Sequence, residues 1–187
     1  MASLPEHIEE YLGTIESGWH LKDETGDIQI VKVSGRPAPG VVTYSTLGMS
    51  WATLPMRGDR VVRQELLFSV YERYPATKIA SFLITFCKSV LSRGRALLRG
   101  EVVGPHQTII AGVAADSVYS TVPVMFDPRL ATFSGSEPPT VFVWLIPIMS
   151  SEAKFVKLNG WNKFEDMLEN NQPDFWDMDR RTLQLAS

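Results

Sequence analysis

The sequence is poor in the residues that build covalent and metal frameworks: one cysteine, Cys87, and three histidines in 187 residues. A single thiol excludes an intramolecular disulfide and any Cys/His zinc box, and it points to a reducing, cytoplasmic setting. Long apolar runs are absent too. The longest, Val141 to Met149, contains Pro147 and is nine residues long, against the ~20 that a membrane-spanning helix needs. The first residues have neither the basic start nor the apolar core of a secretory signal, so a soluble, cytoplasmic protein without a membrane partner is expected. No charge of one sign dominates. Eighteen basic residues face 21 acidic ones, a net charge of −3, which argues against nucleic acid because phosphate binding needs concentrated positive charge.

What is present is a globular composition, 44% hydrophobic and 21% charged, enough for one packed domain over residues 1–187. The charge is unevenly spread. Residues 1–35 hold two lysines against seven acids, and residues 57–100 hold nine Lys/Arg against three acids.

Ser3-Leu4-Pro5-Glu6 reads as a helix start with Ser3 as cap and Glu6 reaching back. Ile8, Tyr11, Leu12 and Ile15 follow at helical spacing, with Gly18 as terminator. Asp23 to Asp27 reads as a turn into a strand, 28–33. Gly35 to Gly40 is a breaker-rich loop, and Val41 to Ser45 a β-branched strand. Val61 to Tyr71 reads as a longer strand, apolar at 62, 66, 68 and 70 and wetter at Arg63, Glu65 and Ser69, which fits antiparallel pairing. Pro75 opens the strongest helix, whose stripe includes Ile79, Leu83, Phe86, Cys87 and Val90. Residues 100–104, 108–115 and 118–125 read as short strands or connections. Val141 to Ile148 is apolar throughout and is expected to be a central strand covered on both faces. Ser150-Ser151-Glu152 begins a helix ending at Asn159-Gly160, Asn162 with Glu165 suggests a second capping pair, and Phe175 and Trp176 anchor the tail. This order lacks regular βα alternation. It predicts an α+β domain with a largely antiparallel or mixed sheet and helices packed over it.

No catalytic, cofactor-binding or metal-ligating constellation emerges. Cys87 lies on a buried helical stripe, where a thiol behaves as a small hydrophobe. His20 with Asp23, and His106 in a loop, have no nucleophile motif beside them, and Gly48-Met49-Ser50 lacks the second glycine of a G-x-S-x-G elbow. A small hydrolase using Glu65 with His20 or His106 is the enzymatic alternative. Arg63 and Glu65 share one strand face, as a structural ion pair or as part of a ligand site. The basic residues Lys88, Arg93, Arg95 and Arg99 either complement the negative end of the central helix or form a docking surface, with Arg93, Arg95 and Arg99 as candidate docking charges.

Several stretches occur together in a fixed order: Tyr44-Ser45-Thr46-Leu47-Gly48-Met49-Ser50, then Arg63 to Phe68, then Val143 to Ala153 with its Pro147-Ile148-Met149-Ser150-Ser151-Glu152 core, and the closing Asp177-Met178-Asp179-Arg180-Arg181. This set resembles the Suppressor of fused domain family over about residues 40–181. The resemblance implies a Suppressor-of-fused-like fold and a binding domain rather than an enzyme. Its motif residues here are Thr46, Gly48, Met49, Ser50, Glu65, Pro147 and Glu152, as structural or contact positions. The animal member is a two-lobed regulator that sequesters Gli transcription factors; this chain lacks the second lobe, so that role does not carry over. Short bacterial relatives imply an immunity protein that binds and neutralises a toxin of a polymorphic toxin system, with no cofactor. A peptide-binding adaptor acting by β-strand addition is the other binding reading. Gly48 suits a positive φ or a close backbone approach, and Thr46 and Ser50 can satisfy amides of a structured turn.

Overall fold

The computed structural model describes residues 3–23, 26–105 and 108–184. The chain runs through α1 (Leu4–Leu12), β1 (Ser17–Asp23), β2 (Gly26–Ser34), β3 (Val41–Leu47), β4 (Leu54–Pro55), β5 (Val61–Tyr71), α2 (Ala76–Arg93), β6 (Val102–Val103), β7 (Ser117–Thr121), β8 (Thr132–Phe133), β9 (Thr140–Ile148), α3 (Ser150–Asn159) and α4 (Trp161–Asn171). One sheet has the order β1-β2-β3-β5-β9-β7-β6, with β4 beside β5 and β8 beside β9. Every pairing is antiparallel except β5 with β9, where Leu66 lies opposite Val143. The architecture is α+β, a mixed sheet with helices on both faces.

Strand alternation distributes the side chains between two cores. Ile30, Tyr44, Leu66, Phe68 and Leu145 face α2 and meet Ile79, Leu83, Phe86, Cys87 and Val90. Val31, Val33, Leu67, Trp144 and Ile146 face the other way, against α1, α3, α4 and Trp176. β9 is therefore apolar at both parities, as expected of a strand covered on both faces. The same cover corrects the reading of β5. Two of its three wetter positions are not wet: Glu65 and Ser69 are fully buried, and Arg63 alone is partly exposed. The Ser69 hydroxyl pairs with that of Thr43, 2.8 Å away, and Thr43 also donates to the Arg36 carbonyl. Polar alternation in this strand marks internal hydrogen bonding, which satisfies a buried hydroxyl as well as water does.

Element ends follow local chemistry. Ser3 and Glu6 form the reciprocal cap of α1, the Ser3 amide donating to Glu6 at 2.6 Å. That helix stops at Gly13, with φ +107, and not at Gly18. Gly18 instead sits in β1, an edge strand whose alternating run, Trp19-His20-Leu21-Lys22, is short and follows a Ser-Gly pair that reads as a helix end. Residues 108–115 form no strand; Ile109, Ile110 and Val113 close one end of the α2-side core. Asn162 does not cap α4, which starts at Trp161 after Gly160. α2 keeps its predicted start after Pro75 and ends at left-handed Gly94.

Gly48 is the backbone position with the least tolerance. Its φ is +110, and a Cβ there would overlap the carbonyl oxygen of Asp27 on β2. Gly48→Ala is expected to lower unfolding free energy by at least about 2 kcal/mol, read as a lower urea midpoint at unchanged m-value.

Candidate functional site

Two buried carboxylates organise the motif residues. Glu65 lies beneath the turn after β3 and accepts hydrogen bonds from Thr46 Oγ1 (2.5 Å), the Gly48 amide (2.9 Å) and the Ser50 amide (3.0 Å). Thr46 Oγ1 in turn accepts from the Leu66 amide at 2.7 Å. Met49, between the two bonded amides, is fully buried in the α2-side core. Arg63 holds the same turn through Nη1, which donates to the carbonyls of Ser50 and Trp51, both at 2.8 Å. Arg63 and Glu65 thus grip one turn through its carbonyls and its amides respectively. Burial pushes the Glu65 carboxyl above its ordinary value, against the pull of its donors.

Glu152, at the start of α3, is the second. It receives both terminal nitrogens of Arg180 (2.6 and 2.7 Å), the Leu183 amide (2.9 Å) and the Met149 amide (3.2 Å). Both side chains are buried. This pair joins two stretches that the sequence reading quoted separately, the element around Glu152 and the closing acidic-then-Arg signature. Pro147 lies on β9 opposite Val118, apart from both carboxylates. Just before Arg180, the tail is fastened by Tyr74 of the segment between β5 and α2, which donates to Asp177 (2.6 Å) and accepts from the Met178 amide (3.0 Å).

The enzymatic candidates are not gathered. His20 is exposed on β1 and pairs with Asp27 across the β1–β2 hairpin; the Asp23 side chain falls outside the described residues. His106 falls outside the described residues. Burial pushes the Cys87 thiol up to about 12, which removes the thiolate a nucleophile needs. Among the described residues no group of three His, Cys, Asp or Glu side chains could hold a metal ion, and no helix is long and apolar enough to cross a membrane.

The three candidate docking arginines are all engaged. Arg93 and Arg95 both reach Glu101, at 3.0 and 2.8 Å, and Arg99 grips Glu165, which also accepts from the hydroxyls of Tyr119 (2.8 Å) and Thr121 (2.9 Å). Sequence reading had Glu165 as a helix cap and passed over Glu101, although Glu101 stands two residues after Arg99. Arg99 also lies over the Trp161 ring, 4.8 Å from its centroid, an approach that Gly100 permits because any Cβ there would collide with the indole. Around Arg99 the surface is unusually apolar: Val122, Val124, Met125 and Trp161 are exposed large hydrophobics. Arg99 and Thr121 border a groove of about 520 Å³ whose floor includes Trp144 and Trp176.

Solved structures share this architecture. A Suppressor of fused homologue from Neisseria gonorrhoeae FA 1090 superposes with a TM-score of 0.77 at 15% identity, covering 97% of this chain and 94% of that one. A chain of the Sufu–Fu complex gives 0.69 at 14% identity, covering 96% and 90%. Drosophila Suppressor of Fused gives 0.63 at 15% identity over 84% of this chain but 42% of its own. The fold is thus the α+β fold of Suppressor of fused homologues. The family profile of Suppressor of fused protein (SUFU) matches residues 24–181, beginning before the resemblance read from the motifs, and the chain belongs to that family. Immunity protein YqcF of Bacillus subtilis (strain 168) is 21% identical over 172 residues, 86% of this chain and 84% of that protein.

Two stability predictions follow from these contacts. Arg180→Leu leaves Glu152 buried and unpaired, and is expected to cost about 3–5 kcal/mol in urea unfolding; Arg181→Leu, at an exposed neighbour, should change little. The second concerns acid. Burial raises the carboxyls of Glu101, Glu165 and Asp177, but hydrogen bonds from Arg95, Arg99 and Tyr74, with further donors and charges, outweigh it and hold all three below their ordinary values of 4.5, 4.5 and 3.8. Their stabilisation is complete above those values and is lost as pH falls through the lowered ones. Glu65 has the opposite sign, its contribution fading as pH rises through its raised value. Melting temperature is therefore expected to drop on acidification below the ordinary carboxylate values. Arg95→Gln should make that drop shallower in thermal scans by circular dichroism.

Proposed function

We propose that this chain is a non-catalytic protein-binding domain that acts as a bacterial immunity protein, neutralising the toxin of a polymorphic toxin system by stoichiometric binding. The observation that carries this reading is the similarity to immunity protein YqcF, which extends over 86% of the chain. The likeness to a chain of the Sufu–Fu complex supports protein recognition by the same fold.

The docking face in this proposal is the surface centred on Arg99. Its exposed Trp161, Val122, Val124 and Met125 supply the aromatic and aliphatic anchors that dominate protein interfaces, beside an arginine held in place by Glu165 and the Trp161 ring. The motif residues Thr46, Met49, Glu65 and Glu152 are buried and act by holding the scaffold. Arg93 and Arg95 share the single carboxylate of Glu101, which leaves net positive charge at the rim to steer an acidic patch of the toxin.

Co-expression with the product of the neighbouring toxin-like reading frame tests this. A one-to-one complex and restored growth are expected, and Val124→Asp should weaken the complex by about 2 kcal/mol, roughly thirtyfold. Absence of both complex and protection overturns the reading. The adaptor alternative draws on one feature: the outer edge of the seven-residue strand β1, which no other strand covers among the described residues. It requires short extended peptides to bind and to protect β1 amides from hydrogen exchange.

A further inference from the structure

The groove beside Arg99 has a definite chemistry. Its walls come from the segment after β7 (Val124, Met125), from β9 (Trp144), from the C-terminal end of α4 (Leu168, Glu169) and from Phe175. At about 520 Å³ it lies within the range of roughly 300–1,000 Å³ that holds ligands or large side chains. Trp144 is 1% exposed, and its indole Nε1 has no hydrogen-bond partner among the described residues. A buried donor left without an acceptor is destabilising and is the exception in folded proteins. The indole is boxed by the rings of Phe126, Phe175 and Trp176, with centroids 5.6–5.9 Å away, and its enclosed N–H therefore reports on ring packing at the groove floor.

Charge at the groove is negative. Arg99 is taken up by Glu165, while Glu169 adds a second carboxylate. α4 also ends here, capped at Gln172, and its last turn carries no basic residue, so the negative end of the helix is uncompensated. From Trp161 to Asp174 the chain carries four acids against one lysine.

We infer that the groove receives a large apolar side chain from a basic segment of the protein partner, seated beside Trp144 and Phe175, with a flanking lysine or arginine resting at the end of α4 beside Glu169. The inference builds on the protein-binding reading and assigns it an anchor site. It also orients the partner: net positive charge at Arg93 and Arg95 faces an acidic patch, and the groove faces a basic one.

The test uses the full chain, labelled with ¹⁵N, and three capped tripeptides: phenylalanine between two lysines, phenylalanine between two glutamates, and alanine between two lysines. The Trp144 indole N–H resonance is assigned through contacts to its own ring protons. The Lys-Phe-Lys peptide is expected to shift that resonance in a saturable manner through the ring current of its phenylalanine, and the other two to bind at least about tenfold more weakly. Glu169→Lys should weaken the Lys-Phe-Lys peptide about fivefold, the effect of one charge at a helix end. Val124→Asp, at an exposed position, should abolish binding. An unmoved indole resonance, equal binding of the glutamate peptide, or binding indifferent to Val124→Asp each overturns the assignment. The peptide titration needs no toxin, so failure of the immunity reading with intact peptide binding is distinguishable from failure of the groove. A toxin complex unaffected by both Val124→Asp and Met125→Asp refutes the groove and the Arg99 docking face while leaving the immunity reading standing.

Discussion

Covering both faces of one sheet is the constraint on which this structure rests. Once α2 lies on one side and α1, α3 and α4 on the other, no side chain in the middle of β5 or β9 reaches water, and the polar groups enclosed by these layers, the Trp144 indole N–H and Arg180 Nε apart, find their partners inside the protein. Glu65 answers this by collecting the amides of the turn after β3, and Glu152 by taking the whole guanidinium fork of Arg180. Each carboxylate ties together segments that are distant in sequence. That explains why the most recognisable stretches of the chain are buried, and why they describe the scaffold better than the surface.

The parts of the fold governed by local periodicity were legible in the sequence. β5 and α2 lie where their patterns place them, and the uniformly apolar β9 is covered on both sides, because a strand or helix inside a core shows its environment in its own residues. What escaped is set by partners far along the chain. The polar positions of β5 looked solvent-facing, since nothing near Glu65 or Ser69 announces Gly48 or Thr43. Glu165 looked like a cap because Asn162 stands three residues before it, yet its partners Arg99, Tyr119 and Thr121 come from other elements. Edge strand β1 escaped because its alternating stretch, Trp19 to Lys22, is short and follows Gly18, which reads as a helix terminator. For the candidate site, Arg99 and the anchors Phe175 and Trp176 were visible. The groove they border was not, because it forms only where β9, α4 and the tail converge.

The charge asymmetry of the sequence takes a different form in three dimensions. The basic run of residues 57–100 is partly neutralised by Glu101 and by Glu165 from α4, so the fold converts a broad linear excess into a narrower polarity across one face. Positive charge persists near Arg93 and Arg95, negative charge near Glu169, and Arg99 over Trp161 divides them. Opposed charges a short distance apart select the orientation of a partner more than they add to its affinity.

The C-terminal segment has a further consequence. Phe175 and Trp176 form part of the groove, while Tyr74 and Glu152 fasten the residues that follow them, from Asp177 to Leu183. One strap thus carries both the two aromatic rings of the groove and the residues that close two buried hydrogen-bond networks, so loosening Tyr74 or Glu152 is felt at Phe175 and Trp176 as well as in the core.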